Sequence, residues 1–203
     1  MWKDVPGESV LMSIVARSSL PIARVPLLSL AVGVGVAEAL IGVARVEARL
    51  KWPNDVLIRG RKVAGILLER QGDVVLIGIG INVAQGAVPP ALETIATSVL
   101  LAGGRADRDV IADAVLREVS HWRTRLEDDG FGPIRERWMA LTSMRDQRVS
   151  VDGVSGRFVG LDEAGALLLD ADGATVRVIA GEVQPLPAVD TPEDTAYTAR
   201  NLV

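Results

Sequence analysis

The sequence predicts an α+β protein: a mixed β-sheet with helices packed against it, followed by a small β-barrel or sandwich. Three observations predict it. Between residues 9 and 82, short apolar runs and apolar-polar alternation recur at strand length. Helical patterns occupy 26–44, 107–126 and 132–141. From about residue 146, four short strand patterns follow one another, separated by Gly153, Gly165 and Gly173.

Residues 9–17 (SVLMSIVAR) read as a buried strand. Residues 25–44 are apolar except for Ser29 and Glu38, and long enough to span a bilayer. A buried helix is the preferred reading. Pro26 suits a first helical turn, and Glu38 would be expensive in lipid. The small residues Gly33, Gly35, Ala37 and Ala39 would let this helix lie close to a sheet. A strand at 45–51 ends in a Pro53-Asn54-Asp55 turn. Strands at 55–58 and 62–69 form a hairpin around Arg59-Gly60-Arg61. Residues 73–82 (DVVLIGIGIN) are a further buried strand. Residues 84–106 are loop-rich, with Pro89-Pro90 opening a short helix, and Asp107 begins a long amphipathic one. The later strands are expected at 147–152, 155–162, 165–170 and 174–180. Three segments result: residues 1–145, the small β-unit at 146–186, and a polar tail at 187–203 expected to be disordered.

Composition narrows the function. The chain has 203 residues, 49% of them apolar but only 3% aromatic, so aliphatic side chains must fill the core. A net charge of -4 argues against a mainly electrostatic nucleic-acid binder. No cysteine is present, so neither a disulfide framework nor a thiolate metal site forms, and a reducing compartment such as the cytoplasm fits. His121, the only histidine, lies on a helix surface with no partner nearby in sequence. Chemistry here is therefore expected to rest on charge stabilisation.

Lys51 closes an alternating strand directly before a rigid turn. A cation held this way is a fixed point charge for a carboxylate or phosphate; the alternative is a solvated lysine on a surface hairpin. Gly65 interrupts a strand, which implies either a ligand close to the backbone near Ile66 and Leu67, or a bulge. Gly78 and Gly80 alternate along their strand and leave one face smooth, and Asn82 offers a donor and an acceptor at its end. No third glycine opens a helix, which excludes a dinucleotide fingerprint, and no Walker loop occurs.

Taken together, Lys51-Trp52-Pro53-Asn54-Asp55, Arg61-Lys62-Val63-Ala64-Gly65-Ile66-Leu67-Leu68-Glu69 and Gly78-Ile79-Gly80-Ile81-Asn82-Val83 resemble the motifs of the biotin protein ligases, in the same order and spacing. Residues 148–183 resemble that family's C-terminal SH3-like barrel. The resemblance implies formation of biotinyl-5′-AMP from biotin and ATP with Mg²⁺, then transfer of biotin to a lysine of a biotin carboxyl carrier domain. It implies Lys51 as the catalytic lysine. It also implies a biotin seat around Gly65, Ile66, Leu67, Gly78 and Gly80, with Asn82 at the adenylate. Trp2 matches the tryptophan on which adenine stacks, and Asn54, Asp55 and Lys62 are further site residues. No metal ligand set, nucleic-acid partner or membrane is implied; a homodimer is compatible with it.

The family's Gly-Arg-rich loop ends in the tryptophan matched by Trp2, so this chain opens inside that motif. A longer reading frame is the first expectation and a genuine fragment the second. The 203 residues alone are expected to hold biotinyl-AMP poorly. Alternative readings are a degenerate relative that binds a carrier domain or nucleotide without turnover, and a lipoate-type acyl ligase.

Overall fold

A computed structural model describes residues 7–18 and 20–187. Trp2 and residues 188–203 lie outside the described residues. Strand β1 (Ser9–Arg17) leads into helix α1 (Val25–Ala39), which continues as a π-turn over Leu40–Ala44. Four strands follow: β2 (Ala48–Lys51), β3 (Asp55–Ile58), β4 (Arg61–Gln71) and β5 (Val74–Asn82). Helices α2 (Arg108–Asp128) and α3 (Phe131–Leu141) complete the first unit. The sheet order is β1-β5-β4-β3-β2. All its ladders are antiparallel, so the parallel component of the expected mixed sheet shrinks to two isolated bridges, Leu50 with Thr142 and Lys62 with Ala96.

The apolar stretch is a core helix. The helical segment Ile22–Ala44 is long and apolar enough to cross a membrane, with 72% of its most apolar window buried. It packs between the sheet and helices α2 and α3. Its one acid, Glu38, is accounted for by an ion pair with Arg137 of α3. The small residues serve two partners, not the sheet alone. A Cβ at Gly33 would touch the Leu50 side chain at 3.6 Å, whereas one at Gly35 would sit 2.8 Å from the Val119 backbone nitrogen. Gly35 is therefore where α1 and α2 make backbone-close contact. The strand expected at 45–51 starts later, at Ala48, because the π-turn ends with Arg45 in the left-handed region (φ 58°).

The hairpin between β3 and β4 turns on Arg59 (φ 49°) and Gly60 (φ 76°), the positive pair of a tight turn that matches strand twist. Asp107 caps α2 by accepting from the Val110 N–H at 3.1 Å. The second unit has strands β6 (Arg148–Val151), β7 (Val154–Leu161), β8 (Leu167–Ala171), β9 (Ala174–Val178) and β10 (Val183–Pro185), in the order β10-β6-β7-β8-β9. The last strand was not expected from sequence, since three residues are too short to show a pattern.

Candidate active site

The sheet register aligns the predicted residues. Lys51 pairs with Asp55, Asp55 with Gly65, Gly65 with Gly80, and Gly80 with Leu11. Directly paired residues share a face, so these five positions form one row across all five strands. The next row holds Leu67, Gly78 and Ser13. Asn82 keeps the phase of Gly78 and Gly80 and lies on the same face. The opposite face carries Ile66, Val75, Ile77, Ile79 and Ile81, all buried beneath the helices.

Lys62 reaches this face through a bulge. Val56 pairs with Ala64 but Leu57 pairs with Lys62, which leaves Val63 as an extra residue. Strict alternation from Gly65 would have turned Lys62 inward; the extra residue restores it to the side of Asp55. The two side chains pair at 2.5 Å, with Asp55 16% and Lys62 39% exposed. The bulge foreseen at Gly65 is thus two residues earlier, and Gly65 itself pairs regularly. Beyond the end of β5, residues 95–97 take over the free edge of Lys62. Its N–H donates to the Ile95 carbonyl at 2.8 Å, and its carbonyl accepts from the Thr97 N–H at 2.9 Å.

Lys51 is held from both sides. The Leu50 carbonyl accepts from the Ser143 N–H at 2.9 Å, the Ser143 hydroxyl at 3.2 Å and the Thr142 hydroxyl at 3.3 Å. Trp52, 3% exposed, donates its indole N–H to the Gly165 carbonyl at 3.0 Å and its backbone N–H to the Met144 sulfur at 3.4 Å. The Trp52–Pro53 peptide is cis. The tryptophan therefore bolts the strand end to the second unit. Asn54 secures the turn: its side-chain N–H donates to the Ile66 carbonyl at 2.8 Å, and its own carbonyl accepts from the Ile66 N–H at 3.1 Å. The Gly165 carbonyl is presented by a turn built on Asp162, whose carboxylate accepts from Ala164 and Ala166 N–H groups, both at 2.8 Å, and pairs with Arg177. Partial burial pushes the Asp162 carboxyl up; the Arg177 guanidinium and the two N–H groups outweigh it and hold it below the usual carboxylate range.

Two cavities meet here. One, of about 490 Å³, is floored by Gly65, Gly78 and Gly80 and walled by Leu11 and Leu67. The other, of about 670 Å³, lies between the hairpin and the second unit and is lined by Lys51, Asp55, Ser143, Gln147 and Glu182 among others. Lys62 lines both. Ile66, Leu67 and Asn54 also border the apolar cleft, while the Asn82 amide is tied to the Thr97 carbonyl at 3.0 Å. An apolar cleft that shares Lys62 with a cation-bearing cavity suits an acid with an apolar body and a phosphate-bearing second reactant. No group of three metal-ligating side chains occurs among the described residues. His121 sits exposed on α2, edge-on to Trp122. Trp52 stands in the sequence motif without an assigned role, and Thr142, Ser143 and the segment at 95–97 carry no sequence signal. Only the position of Trp52 beside Lys51 could have flagged any of them.

Residues 1–85 match the Biotin/lipoate A/B protein ligase family, and residues 147–184 match the Biotin protein ligase C terminal domain. A biotin–[acetyl-CoA-carboxylase] ligase of Mycobacterium tuberculosis is 38% identical over 197 residues, covering 90% of this chain and 71% of the relative. The bifunctional ligase/repressor BirA of Bacillus subtilis is 33% identical over 198 residues, covering 91% of this chain; the chain spans 60% of that protein's length. The Aquifex aeolicus biotin protein ligase solved with biotin and ATP superposes with a TM-score of 0.79 at 27% identity, covering 89% of this chain and 79% of that one.

Proposed function

This chain belongs to the biotin protein ligase family, and from that premise we propose that it joins biotin to a carrier-protein lysine in two steps. In the first, a biotin carboxylate oxygen attacks the α-phosphorus of ATP. The new bond is the acyl–phosphate oxygen bridge, and the bond to pyrophosphate breaks. In the second, the carrier lysine amine attacks the biotinyl carbonyl carbon; AMP leaves with the bridging oxygen, and the amine proton passes to solvent. The carrier is a biotin carboxyl carrier domain of a carboxylase, and the cytoplasm is where we place the reaction.

The row Lys51–Asp55–Gly65–Gly80–Leu11 carries this reading. Gly65, Gly78 and Gly80 leave room for the bicyclic ring system to lie on backbone, with the Ile66 backbone and the Leu67 side chain beside it. Lys62 borders both cavities, and Lys51 lines the charged one. Both steps gather negative charge at the carboxyl–phosphoryl junction, where the ammonium groups of Lys51 and of Lys62, the latter paired with Asp55, would stabilise it. Asn82 faces the adenylate from the end of β5. Trp2, outside the described residues, is the proposed stacking partner for adenine. Asp55 keeps Lys62 extended along the sheet, and Asn54 fixes the turn. Mg²⁺ would arrive on the triphosphate and help neutralise it. Asp55 and Glu182, the carboxylates of the charged cavity, suit a nucleotide-borne cation better than an all-protein cage.

The test is carrier biotinylation by purified protein, wild type against Lys51→Ala. Removing a preorganised charge at the reacting centre should lower kcat about 100- to 1,000-fold, with the thermal midpoint unchanged. Full activity in the variant would end this assignment. Competition with lipoate reports the acyl specificity: lipoate displacing biotin at equal concentration would point to a lipoate-type ligase. Carrier binding without turnover would point to a degenerate, non-catalytic relative.

A further inference from the structure

We propose that a cavity beside the Asp162 turn is a further binding site, for a small carboxylic acid with an apolar tail, and that its occupant steadies the turn that holds Trp52. The cavity measures about 320 Å³, the small end of ligand pockets, and shares no lining residue with the two cavities of the candidate active site. It opens where the start of α1, the junction of α2 and α3, and the turn between β7 and β8 meet. Its floor is apolar. Leu27 and Leu126 are 2% and 3% exposed, and Leu20 and Phe131 pack half-buried against the core. Arg70 fixes one wall by donating to the Leu20 carbonyl at 2.7 Å.

The charged groups stand on the exposed side. Among the described residues, Arg24 and Arg135 line the cavity against a single carboxylate, Glu163. Glu163 is 93% exposed and meets Arg135 only at 3.8 Å, so this pair is weak and gives way readily to a ligand. Of the acids at the end of α2, Glu127 pairs with Arg123 and Asp129 with Arg125, and neither lines the cavity. Two guanidinium groups over an apolar floor complement an anion that carries its own apolar body. Free phosphate would leave the floor uncovered, and an uncharged tail would leave the guanidinium groups unmatched. The effect on Trp52 travels through packed contacts. Leu27 lines the cavity and also packs against Gly165, where a Cβ would lie 2.9 Å from Leu27 Cδ2. Glu163 belongs to the same turn as Gly165. The Gly165 carbonyl accepts the indole N–H of Trp52, the neighbour of Lys51. A ligand wedged against Leu27 and held by Arg135 therefore restrains the turn from both sides.

The experiment is calorimetry with octanoate, octanol and inorganic phosphate on the full chain, wild type against Arg24→Met and Arg135→Met. Spectra of the ¹⁵N-labelled tryptophan indoles are recorded on the same samples, with the Trp52 signal identified by its loss in Trp52→Phe. Both arginines have exposed side chains, so the variants should fold. Octanoate should bind wild type, octanol about tenfold more weakly, and phosphate not measurably. Each arginine variant should weaken octanoate about tenfold and leave biotin affinity unchanged. Octanoate should also move the Trp52 indole signal. Octanoate that fails to bind at millimolar concentration, binds no better than octanol, or binds both variants as tightly as wild type would overturn the site. Binding that leaves the Trp52 signal unmoved would overturn its link to the turn. None of these readouts uses biotinylation, so they decide the matter whether or not the ligase reading stands.

Discussion

The two faces of the five-stranded sheet are made by the same strands and do opposite work. Beneath it, Ile66, Val75, Ile77, Ile79 and Ile81 meet α1 with almost no exposure, and glycines there serve close packing. Above it, Leu11 and Leu67 remain 59% and 61% exposed, the glycines leave open floor, and the cations gather at one end. One residue of displacement along a strand separates stability from chemistry. The lower face should therefore answer to unfolding experiments and the upper face to ligand experiments.

Substituting glycine on each side breaks or sharpens that contrast. Gly35→Ala drives a methyl group to 2.8 Å from the Val119 backbone nitrogen, so α1 and α2 must separate. Overpacking of this kind costs about 1–3 kcal/mol. Urea unfolding should show it, while biotin affinity of the folded fraction stays put. A stability equal to wild type would mean that the helix contact is slack. Gly78→Ala is the converse. Its new Cβ meets Leu67 only at an ordinary 3.7 Å, and a strand gains up to about 1 kcal/mol on losing a glycine. The same methyl group projects into the cleft. Titration should show biotin binding weakened about tenfold, or about 1.4 kcal/mol, with unfolding unchanged or slightly later. Unaltered biotin affinity would remove the floor from the proposed site.

Much of this was legible in the sequence, and the exceptions share a cause. The hairpin, the alternate glycines and the Lys51 turn are local patterns, each readable within ten residues. The Val63 bulge has a faint local trace, two adjacent small apolar residues between Lys62 and Gly65, but its effect on Lys62 depends on the partner strand. The split duty of Gly33 and Gly35 was unreadable because it depends on which helix arrives from 84 residues downstream, as the contact with Val119 shows. Trp52 is the clearest case. Its partner, the Gly165 carbonyl, is 113 residues away and is a backbone group that no motif could announce.

Trp52→Phe isolates that long-range link. Phenylalanine keeps much of the apolar bulk and drops the indole donor, leaving the Gly165 carbonyl buried without its partner, at about 1–3 kcal/mol. If the second unit steadies Lys51 through Trp52, kcat should fall several-fold while biotin affinity, set on the far side of the row, holds. A loss of stability with kcat intact would make Trp52 a packing residue only.

The smallest effect tests the same link through pH. The Asp162 carboxyl is held below the usual carboxylate range once the Arg177 and N–H contacts outweigh its partial burial. Asp170 lies low in the same way, through Arg157 first and the Gly173 N–H second. A carboxyl whose folded value is depressed binds its proton less readily folded than unfolded. Its contribution is fully present above the unfolded value of about 3.9 and disappears as pH falls through the folded value. Thermal midpoints from pH 6 down to pH 3 should therefore drop more steeply for wild type than for Asp162→Asn, the two curves converging at the acid end. Because Asp162 shapes the turn that offers the Gly165 carbonyl, Trp52 fluorescence should shift over the same acid window in wild type. Curves that stay parallel across the range would mean that the turn stands without its carboxylate and presents the Gly165 carbonyl to Trp52 at every pH.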